Sequence, residues 1–320
     1  MFLIILVGLI LLISLACFYK CFYSENKQPV DPYSILHGQQ YHAVEEEIFR
    51  STKRMEEAPF EPVTIRSYDG TELSGRYYHH RDGAPVKILF HGYRSIALRD
   101  SAGGYGMAKK LGFNVLAVDQ RAHGLSGGHV ITFGIKERYD CRCWAEYVYS
   151  RFGSDVPIIL SGLSMGAATV VMATQLELPP SVACVLADCP YSSPREIISK
   201  VTQDLKYPAW LAYPMLWLGA FLFGGFDINC ASACEAAAHS ELPILLLHGE
   251  DDRFVPCDMS RKIHSSSNGC TQLATFPNAG HGLSYMIDPI RYEQICFSFL
   301  KSVPALQPFI GNGNIVQNSL

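Results

Sequence analysis

Six short apolar runs, separated by segments long enough for helices, constrain the fold of this 320-residue chain more than any other feature. Runs of this kind are typical of strands that are buried on both faces of a parallel sheet. They lie at residues 87–90, 114–118, 156–161, 181–187, 244–247 and 272–276. Helix candidates lie at residues 101–111, 135–152, 165–177 and 285–301. The alternation predicts an open α/β sheet, mostly parallel, with helices on both faces and a ligand site at the carboxyl ends of its strands.

A different pattern precedes these runs. Residues 62–68 and 71–78 are two alternating segments that flank Asp69-Gly70. Asp-Gly between alternating segments is a strong hairpin signal. The sequence therefore predicts an antiparallel pair of strands at the beginning of the sheet.

The segment Gly162-Leu163-Ser164-Met165-Gly166 matches the pattern Gly-x-Ser-x-Gly. It follows an apolar run and precedes a helix candidate, so strand, tight turn and helix come in that order. At such an elbow the serine hydroxyl projects from the end of a strand, where a base can reach it. The five residues alone would also fit an ordinary glycine-rich turn, but their context favours a nucleophile.

Polar residues also follow the other predicted strands. An isolated His-Gly pair or an Asp at a strand end is usually a turn or a cap. Their order along the chain carries more information, because nucleophile, then acid, then histidine is typical of one fold. These residues are His91-Gly92-Tyr93, residues 119–126, residues 248–256 and Gly280-His281-Gly282.

With these motifs in place, residues 60–302 resemble the α/β-hydrolase superfamily. Within it they are most similar to the branch that contains monoglyceride lipases, small-acyl esterases and proline iminopeptidases. One departure is Ala122, where that branch commonly has glycine; it affects a turn beside the site and leaves the candidate catalytic residues unchanged. The resemblance implies an α/β-hydrolase fold with a helical cap insertion.

The chemistry of acyl transfer then suggests a role for each residue. A serine hydroxyl is a weak nucleophile, so Ser164 needs an adjacent base, and His281 is the candidate. Asp252 would orient the imidazole and stabilise its cation. Asp251 is the rival acid, but the spacing of Asp252 to Val255-Pro256 matches the family pattern.

An oxyanion needs fixed donors, which in this fold are backbone N–H groups. Met165, directly after the serine, would supply one. By analogy with the family, Tyr93 would supply the other. His91, Asp119, His123 and His248 are interpreted mainly as structural.

Composition excludes several other classes. The net charge is −4 and no long basic run occurs, which argues against binding to nucleic acid. The eleven cysteines include no Cys-x-x-Cys pair, and the histidines lack the spacing of metal ligands. Buried free thiols are the simpler interpretation. We therefore expect neither a metal nor an organic cofactor.

Residues 2–19 carry no charge and are barely long enough to cross a membrane as a helix. A cleaved signal is the alternative, but no positive charge precedes the apolar run, and residues 14–17 match a lipoprotein cleavage site only faintly. Lys20 and Lys27 follow it, which favours a cytoplasmic main domain. We expect a single-pass anchor at 1–20, then a linker and a helix at 21–59.

A second apolar segment, residues 207–226, has twenty residues without a charge. A membrane span here would place Ser164 on the opposite side of the membrane from Asp252 and His281. The insertion at about 190–240 is therefore predicted to be a cap within the catalytic domain, 60–302. Its apolar surface would line an acyl pocket or rest on the bilayer; simple packing on the domain is the alternative. Residues 303–320 are predicted to be a tail.

Together these expectations describe a membrane-tethered serine hydrolase that cleaves carboxylic esters with an apolar acyl group through an acyl-enzyme at Ser164. Its partners would be a small ester or lipid substrate and the membrane, which it would contact through the N-terminal helix and the cap. Hydrolysis of small peptides or amides is the alternative enzymatic activity. A non-catalytic binding protein would be expected to lack a member of the set Ser164, Asp252 and His281. The oligomeric state stays open.

Overall fold

The computed structural model describes residues 1–25, 31–33 and 39–310. The middle of the predicted linker, the start of the helix predicted after it, and residues 311–320 of the predicted tail lie outside these residues. The description below is of the remaining chain.

The described residues form one eight-stranded sheet in the order β1-β2-β4-β3-β5-β6-β7-β8. β1 and β2 are the predicted antiparallel hairpin, β2 runs antiparallel to β4, and all other neighbours are parallel. The predicted fold class is confirmed. The strands are β1 (Glu61–Arg66), β2 (Glu72–Tyr78), β3 (Val86–Phe90), β4 (Asn114–Val118), β5 (Ile158–Leu163), β6 (Val182–Asp188), β7 (Ile244–Gly249) and β8 (Thr271–Phe276).

Twelve helices accompany the sheet within the described residues. They are α1 (Phe2–Cys21), α2 (Gln39–His42), α3 (Glu45–Glu56), α4 (Ala97–Lys110), α5 (Glu137–Phe152), α6 (Met165–Ala173), α7 (Pro194–Asp204), α8 (Ala209–Gly219), α9 (Ala233–His239), α10 (Asp258–Ser266), α11 (Ser284–Ile287) and α12 (Pro289–Ser302). The pattern of apolar runs did not predict α10, because its short amphipathic sequence lies between two strands.

Strand boundaries differ from the prediction by up to two residues. β5 begins at Ile158 instead of residue 156. The cause is Pro157, which has no N–H for the ladder, although its carbonyl accepts a hydrogen bond from the Val86 N–H at 2.9 Å. β5 also ends two residues later than predicted, at Leu163, so Ser164 of the elbow follows the strand directly.

Two hydrophobic cores cover the two faces of the sheet. One contains α5, α6 and α9, with Trp144 among its largest buried side chains. The other contains α4 and α12 and extends to the segment Pro304–Phe309, where Leu306 is fully buried. Residues 303–310, predicted as part of a tail, therefore contribute to the core.

The N-terminal helix α1 is long and apolar enough to cross a membrane. Its carboxyl-terminal half packs on α8 of the cap, where Ser14 and Phe18 are buried. A Cβ atom on Gly219 of α8 would lie 2.4 Å from the Ser14 carbonyl oxygen, so glycine is what permits this approach. The helix predicted as an anchor is thus in direct contact with the cap.

Candidate active site

The elbow joins β5 to α6, and its backbone is strained at the serine. Ser164 has φ 54° and ψ −113°, a conformation that residues with a side chain rarely adopt. A Cβ atom on Gly162 would lie 2.2 Å from the Gly166 carbonyl carbon, and one on Gly166 would lie 2.1 Å from the Phe90 carbonyl oxygen. Only glycine fits at either position, and the turn holds the Ser164 hydroxyl above the end of the sheet.

Three predicted side chains form a continuous hydrogen-bond chain. The His281 Nε2 atom lies 2.9 Å from Ser164 Oγ, and His281 Nδ1 lies 2.6 Å from Asp252 Oδ2. A carboxylate can only accept, so Nδ1 donates to Asp252 and Nε2 is left to accept from the serine hydroxyl. All three residues are buried, although Ser164 and His281 line a cavity.

Asp252 and its rival Asp251 lie in different surroundings. Asp252 is buried, and its Oδ1 accepts hydrogen bonds from the N–H groups of Phe254 (2.9 Å) and Val255 (2.8 Å). Burial opposes ionisation of this carboxyl group, but hydrogen bonds and charge from His248 and His281 outweigh it and lower its pKa to about 2. The Asp251 side chain is exposed. The structure therefore brings Asp252, and not Asp251, to the histidine.

The loop after β3 presents three successive backbone N–H groups. Gly92 donates to Asp100 Oδ2 at 2.8 Å, and Arg94 donates to His123 Nε2 at 3.0 Å. Among the described residues, the Tyr93 N–H between them has no hydrogen-bond acceptor, and neither has the N–H of Met165 at the start of α6. These two N–H groups are the predicted oxyanion donors, and both are available to a ligand.

The histidines predicted as structural support this loop. The ring of His91 accepts a hydrogen bond from the Gln120 N–H at 2.9 Å, and burial lowers its pKa. Burial also lowers the pKa of His123 to about 3, so its ring is neutral and can accept from Arg94. Asp119 accepts hydrogen bonds from the N–H groups of Ala97 and Leu125.

His248 and Ala122 complete the surroundings. His248 Nε2 lies 2.8 Å from the Val255 carbonyl and 3.4 Å from Asp252 Oδ2, so it braces the loop that carries the acid. Ala122 has φ 63°, in the left-handed region where glycine is favoured. This explains why glycine is common there in the resembling branch.

The loop that carries Tyr93 also holds the end of α1. The Tyr93 hydroxyl donates to the Cys21 carbonyl at 2.8 Å, and Arg94 donates to the carbonyls of Lys20 (2.9 Å) and Tyr23 (3.1 Å). Carbonyls in the last turn of a helix have no partner within it, so these bonds satisfy them. Sequence reasoning missed this contact, because nothing in the pattern connects residues about seventy positions apart.

Comparison with known proteins agrees with the fold. A family model described as Serine aminopeptidase, S33 (Hydrolase_4) matches residues 84–221. The chain is 25% identical to the protein YqkD of Bacillus subtilis over 80% of this chain and 83% of that protein. The esterase Pf2001 of Pyrococcus furiosus superposes with a TM-score of 0.62 at 23% identity, over 78% of this chain and 93% of that one. The chain therefore has the α/β-hydrolase fold, and residues 84–221 are similar to the matched family.

The chain is also similar to the lysophosphatidylserine lipase ABHD12 of Macaca fascicularis. The two are 26% identical over 165 residues, which cover 50% of this chain and 39% of that lipase. The chain thus matches less than half the length of that relative.

A cavity of about 620 Å³ opens beside Ser164. Its walls come from the loop after β3, from α4, from residues near His281, and from the segment before the sheet, which contributes Tyr41, Ile48 and Thr52. The Tyr41 hydroxyl also donates to the His281 carbonyl at 2.9 Å. None of the described residues 207–226 lines this cavity, so the structure does not support the first of the roles predicted for the cap surface, which was to line an acyl pocket.

One group of side chains in the α/β-hydrolase domain has a geometry that could hold a metal. The potential ligand atoms of Cys189, Asp252 and His281 lie within 4.8 Å of one another. Burial raises the pKa of Cys189 well above its ordinary value, which disfavours the thiolate that a metal prefers. Asp252 and His281 are already bound to each other.

Proposed function

We propose that this chain is a serine hydrolase that cleaves carboxylic esters with an apolar acyl group, through an acyl-enzyme at Ser164. The observation that supports this most is the hydrogen-bond chain from Asp252 through His281 to Ser164, next to two N–H groups without an acceptor. No other described cluster combines a nucleophile, a base and oxyanion donors.

In the first half of the reaction, Ser164 Oγ attacks the ester carbonyl carbon while His281 Nε2 accepts the hydroxyl proton. The carbonyl oxygen becomes an oxyanion and accepts hydrogen bonds from the N–H groups of Tyr93 and Met165. Asp252 stabilises the imidazolium. When the C–O bond to the alcohol breaks, His281 returns the proton to the leaving oxygen, and the acyl group remains on the serine.

In the second half, a water molecule takes the place of the alcohol. His281 accepts a proton from this water as its oxygen attacks the acyl carbon, and the same two N–H groups bind the new oxyanion. The bond to Ser164 Oγ then breaks, and the proton passes back to the serine. The product is a carboxylic acid, and the enzyme is regenerated.

The walls of the cavity support an apolar acyl group. Leu89, Met107, Leu283 and Met286 are among its lining residues. The relative named lysophosphatidylserine lipase and the neighbour named esterase support an ester of lipid type.

An amine-binding acid in the cap would favour peptide hydrolysis instead. Glu196 accepts hydrogen bonds from Lys262 at 2.7 Å and Ser192 at 2.8 Å, and Asp204 is paired with Lys200 at 2.5 Å. Both carboxylates are therefore already paired, which supports an ester over a peptide with a free amino terminus.

We further propose that α1 is a membrane anchor, at residues 1–20, and that the domain at 60–302 lies on the cytoplasmic side. The lysines after the apolar run, Lys20 and Lys27, support this orientation. Apolar side chains on the cap are also exposed, among them Trp210 and Phe221. Because α1 packs on α8, anchor and cap would contact the same membrane surface.

Hydrolysis of p-nitrophenyl esters of increasing acyl length by the full chain in detergent tests the proposal. We expect turnover that rises from acetate to longer chains and that disappears in Ser164→Ala. Turnover that survives in Ser164→Ala would contradict the nucleophile, and activity on acetate alone would contradict the apolar acyl pocket.

A further inference from the structure

A buried lysine lies in the same cavity as the serine. Lys87, on β3, lines this cavity, and only 3% of its surface is exposed. Its ammonium group makes no hydrogen bond or ion pair within the described part of the chain, and it is not among the fully enclosed polar atoms, so it borders the cavity. Buried ammonium groups normally have partners, because an unpaired charge in an apolar site is costly.

The charged and titratable groups near Lys87 do not neutralise it. Asp188, Cys184 and Cys296 are close enough to act on its charge, but no ion pair forms. The carboxylate of Asp188 is already hydrogen-bonded to Tyr292 at 3.0 Å and to Ser284 at 3.5 Å. The group without a partner in this part of the cavity is therefore the Lys87 ammonium. It is a cation and a hydrogen-bond donor, so an anion that accepts hydrogen bonds would be a suitable partner.

The Cα atom of Lys87 lies well below the reacting serine along the sheet. In the register of β3 and β5 it is opposite Ile159, five residues before Ser164, which corresponds to roughly 16 Å along the strand. The space between is lined by apolar side chains such as Leu89 and Leu163. Ser164 and the backbone of Lys87 thus lie at different levels of one cavity, with apolar side chains between them.

Helix α4 closes the cavity at the level of Lys87 by a tight approach to the strand. A Cβ atom on Gly104 would lie 3.0 Å from the Leu89 side chain and 3.7 Å from Lys87 Nζ. Glycine in a helix interior lowers the stability of the helix. At position 104 it also permits the close packing of α4 on β3 that encloses the lysine.

We propose that Lys87 forms an anion-binding subsite in the acyl pocket, and that the substrates are esters whose acyl chain carries a carboxylate at its far end. Such an acyl group would place an ester carbonyl at Ser164, methylene groups along the apolar part of the wall, and a carboxylate at the ammonium. This inference rests on the proposed esterase function and deepens it.

The test compares two series of p-nitrophenyl esters on the full chain in detergent: monoesters of dicarboxylic acids and esters of monocarboxylic acids of equal length. We expect the wild-type ratio of kcat/KM, dicarboxylic over monocarboxylic, to pass through a maximum at one chain length. Lys87→Met, which keeps an unbranched apolar chain of similar size, should lower this ratio at that length by about tenfold or more. The exposed Lys109, changed to Met, is the matched control and should leave it unchanged.

An equal ratio in wild type and Lys87→Met would overturn the subsite. A wild-type ratio that does not depend on length would overturn it as well, and this second measurement does not depend on folding of a variant. If the wild type hydrolyses neither series and Ser164 does not react with a fluorophosphonate, the proposed esterase function fails, which is a different result from hydrolysis without a carboxylate preference.

Discussion

At the scale of single residues, the two neighbouring acids allow a matched comparison. Asp252 bonds to His281 and to two backbone N–H groups, whereas the Asp251 side chain is exposed. We expect Asp252→Asn to lower kcat for a p-nitrophenyl ester by about 10⁴-fold, because the amide favours the wrong imidazole tautomer. Asp251→Asn should stay close to wild type. A dead Asp251→Asn beside an active Asp252→Asn would reverse the assignment.

Lys87 predicts a pH-dependent effect on stability. Burial lowers its pKa from the usual 10.5 to about 8. Below pH 8 the lysine is charged in both the folded and the unfolded protein, so burial of the charge lowers the free energy of unfolding by its full amount. As the pH rises from 8 to 10.5, the folded protein loses the proton and this destabilisation diminishes. Lys87→Met should therefore raise the free energy of unfolding at pH 7 by up to about 3 kcal/mol.

Thermal or denaturant unfolding from pH 7 to 10 measures this difference. The advantage of Lys87→Met over wild type should shrink above pH 8, and Lys109→Met should show no such trend. A variant that is less stable than wild type at pH 7 would mean that the buried ammonium has a stabilising partner.

Sequence reasoning reached the elbow, the histidine and the acid because each follows a strand in a recognisable order. It did not reach Lys87, which stands at the beginning of an apolar run and gives no signal of its own. Lys87 is unusual because α4 and α12 bury it. The sequence predicts the positions of these helices on the sheet only approximately.

At the scale of helices and strands, we expect replacement by alanine to have opposite effects on stability at two glycines that lie in helices of similar length. A methyl group on Gly219 would lie 2.4 Å from the Ser14 carbonyl, whereas one on Gly106 of α4 would contact nothing within 4 Å. Gly106→Ala should stabilise the protein by about 1 kcal/mol, because alanine is the better helix former. Gly219→Ala should destabilise it, because α1 would have to move away from α8.

Thermal unfolding of the two variants in the same detergent is the measurement. Equal stabilisation by both changes would mean that α1 does not pack on α8 as described.

The sequence predicted the strands well because runs buried on both faces are almost wholly apolar. The sequence of the helical insertion has no comparable pattern that would predict where the insertion packs on the domain. Its apolarity indicated a pocket wall, but the cavity wall instead includes Tyr41, Ile48 and Thr52, which lie before the sheet in a segment rich in charge. Contacts between segments far apart in the chain depend on the packing of the whole domain, which local patterns do not encode.

At the scale of the whole molecule, α1 contacts both the cap and the loop carrying Tyr93. Exposed apolar residues of the cap therefore lie beside the proposed anchor. Leu211 on α8 and Ile290 on α12 are 52% and 62% exposed and similar in size. If the cap rests on lipid, Leu211→Asp should lower turnover of a lipid ester in vesicles by about tenfold or more, because a carboxylate is costly there.

Ile290→Asp places the same charge on a different face and should have little effect on that turnover. Both variants should hydrolyse a water-soluble ester like wild type. If Leu211→Asp matches Ile290→Asp on vesicles, the cap does not contact the lipid.

The central claim is that Ser164 is the nucleophile of the chain Asp252–His281–Ser164. Reaction of the full chain with a fluorophosphonate, followed by mass spectrometry of its peptides, tests it most directly. We expect one covalent adduct on Ser164, lost in Ser164→Ala and strongly slowed in His281→Ala because the hydroxyl then lacks its base. An unlabelled wild type, or an adduct that persists in Ser164→Ala, would contradict the account.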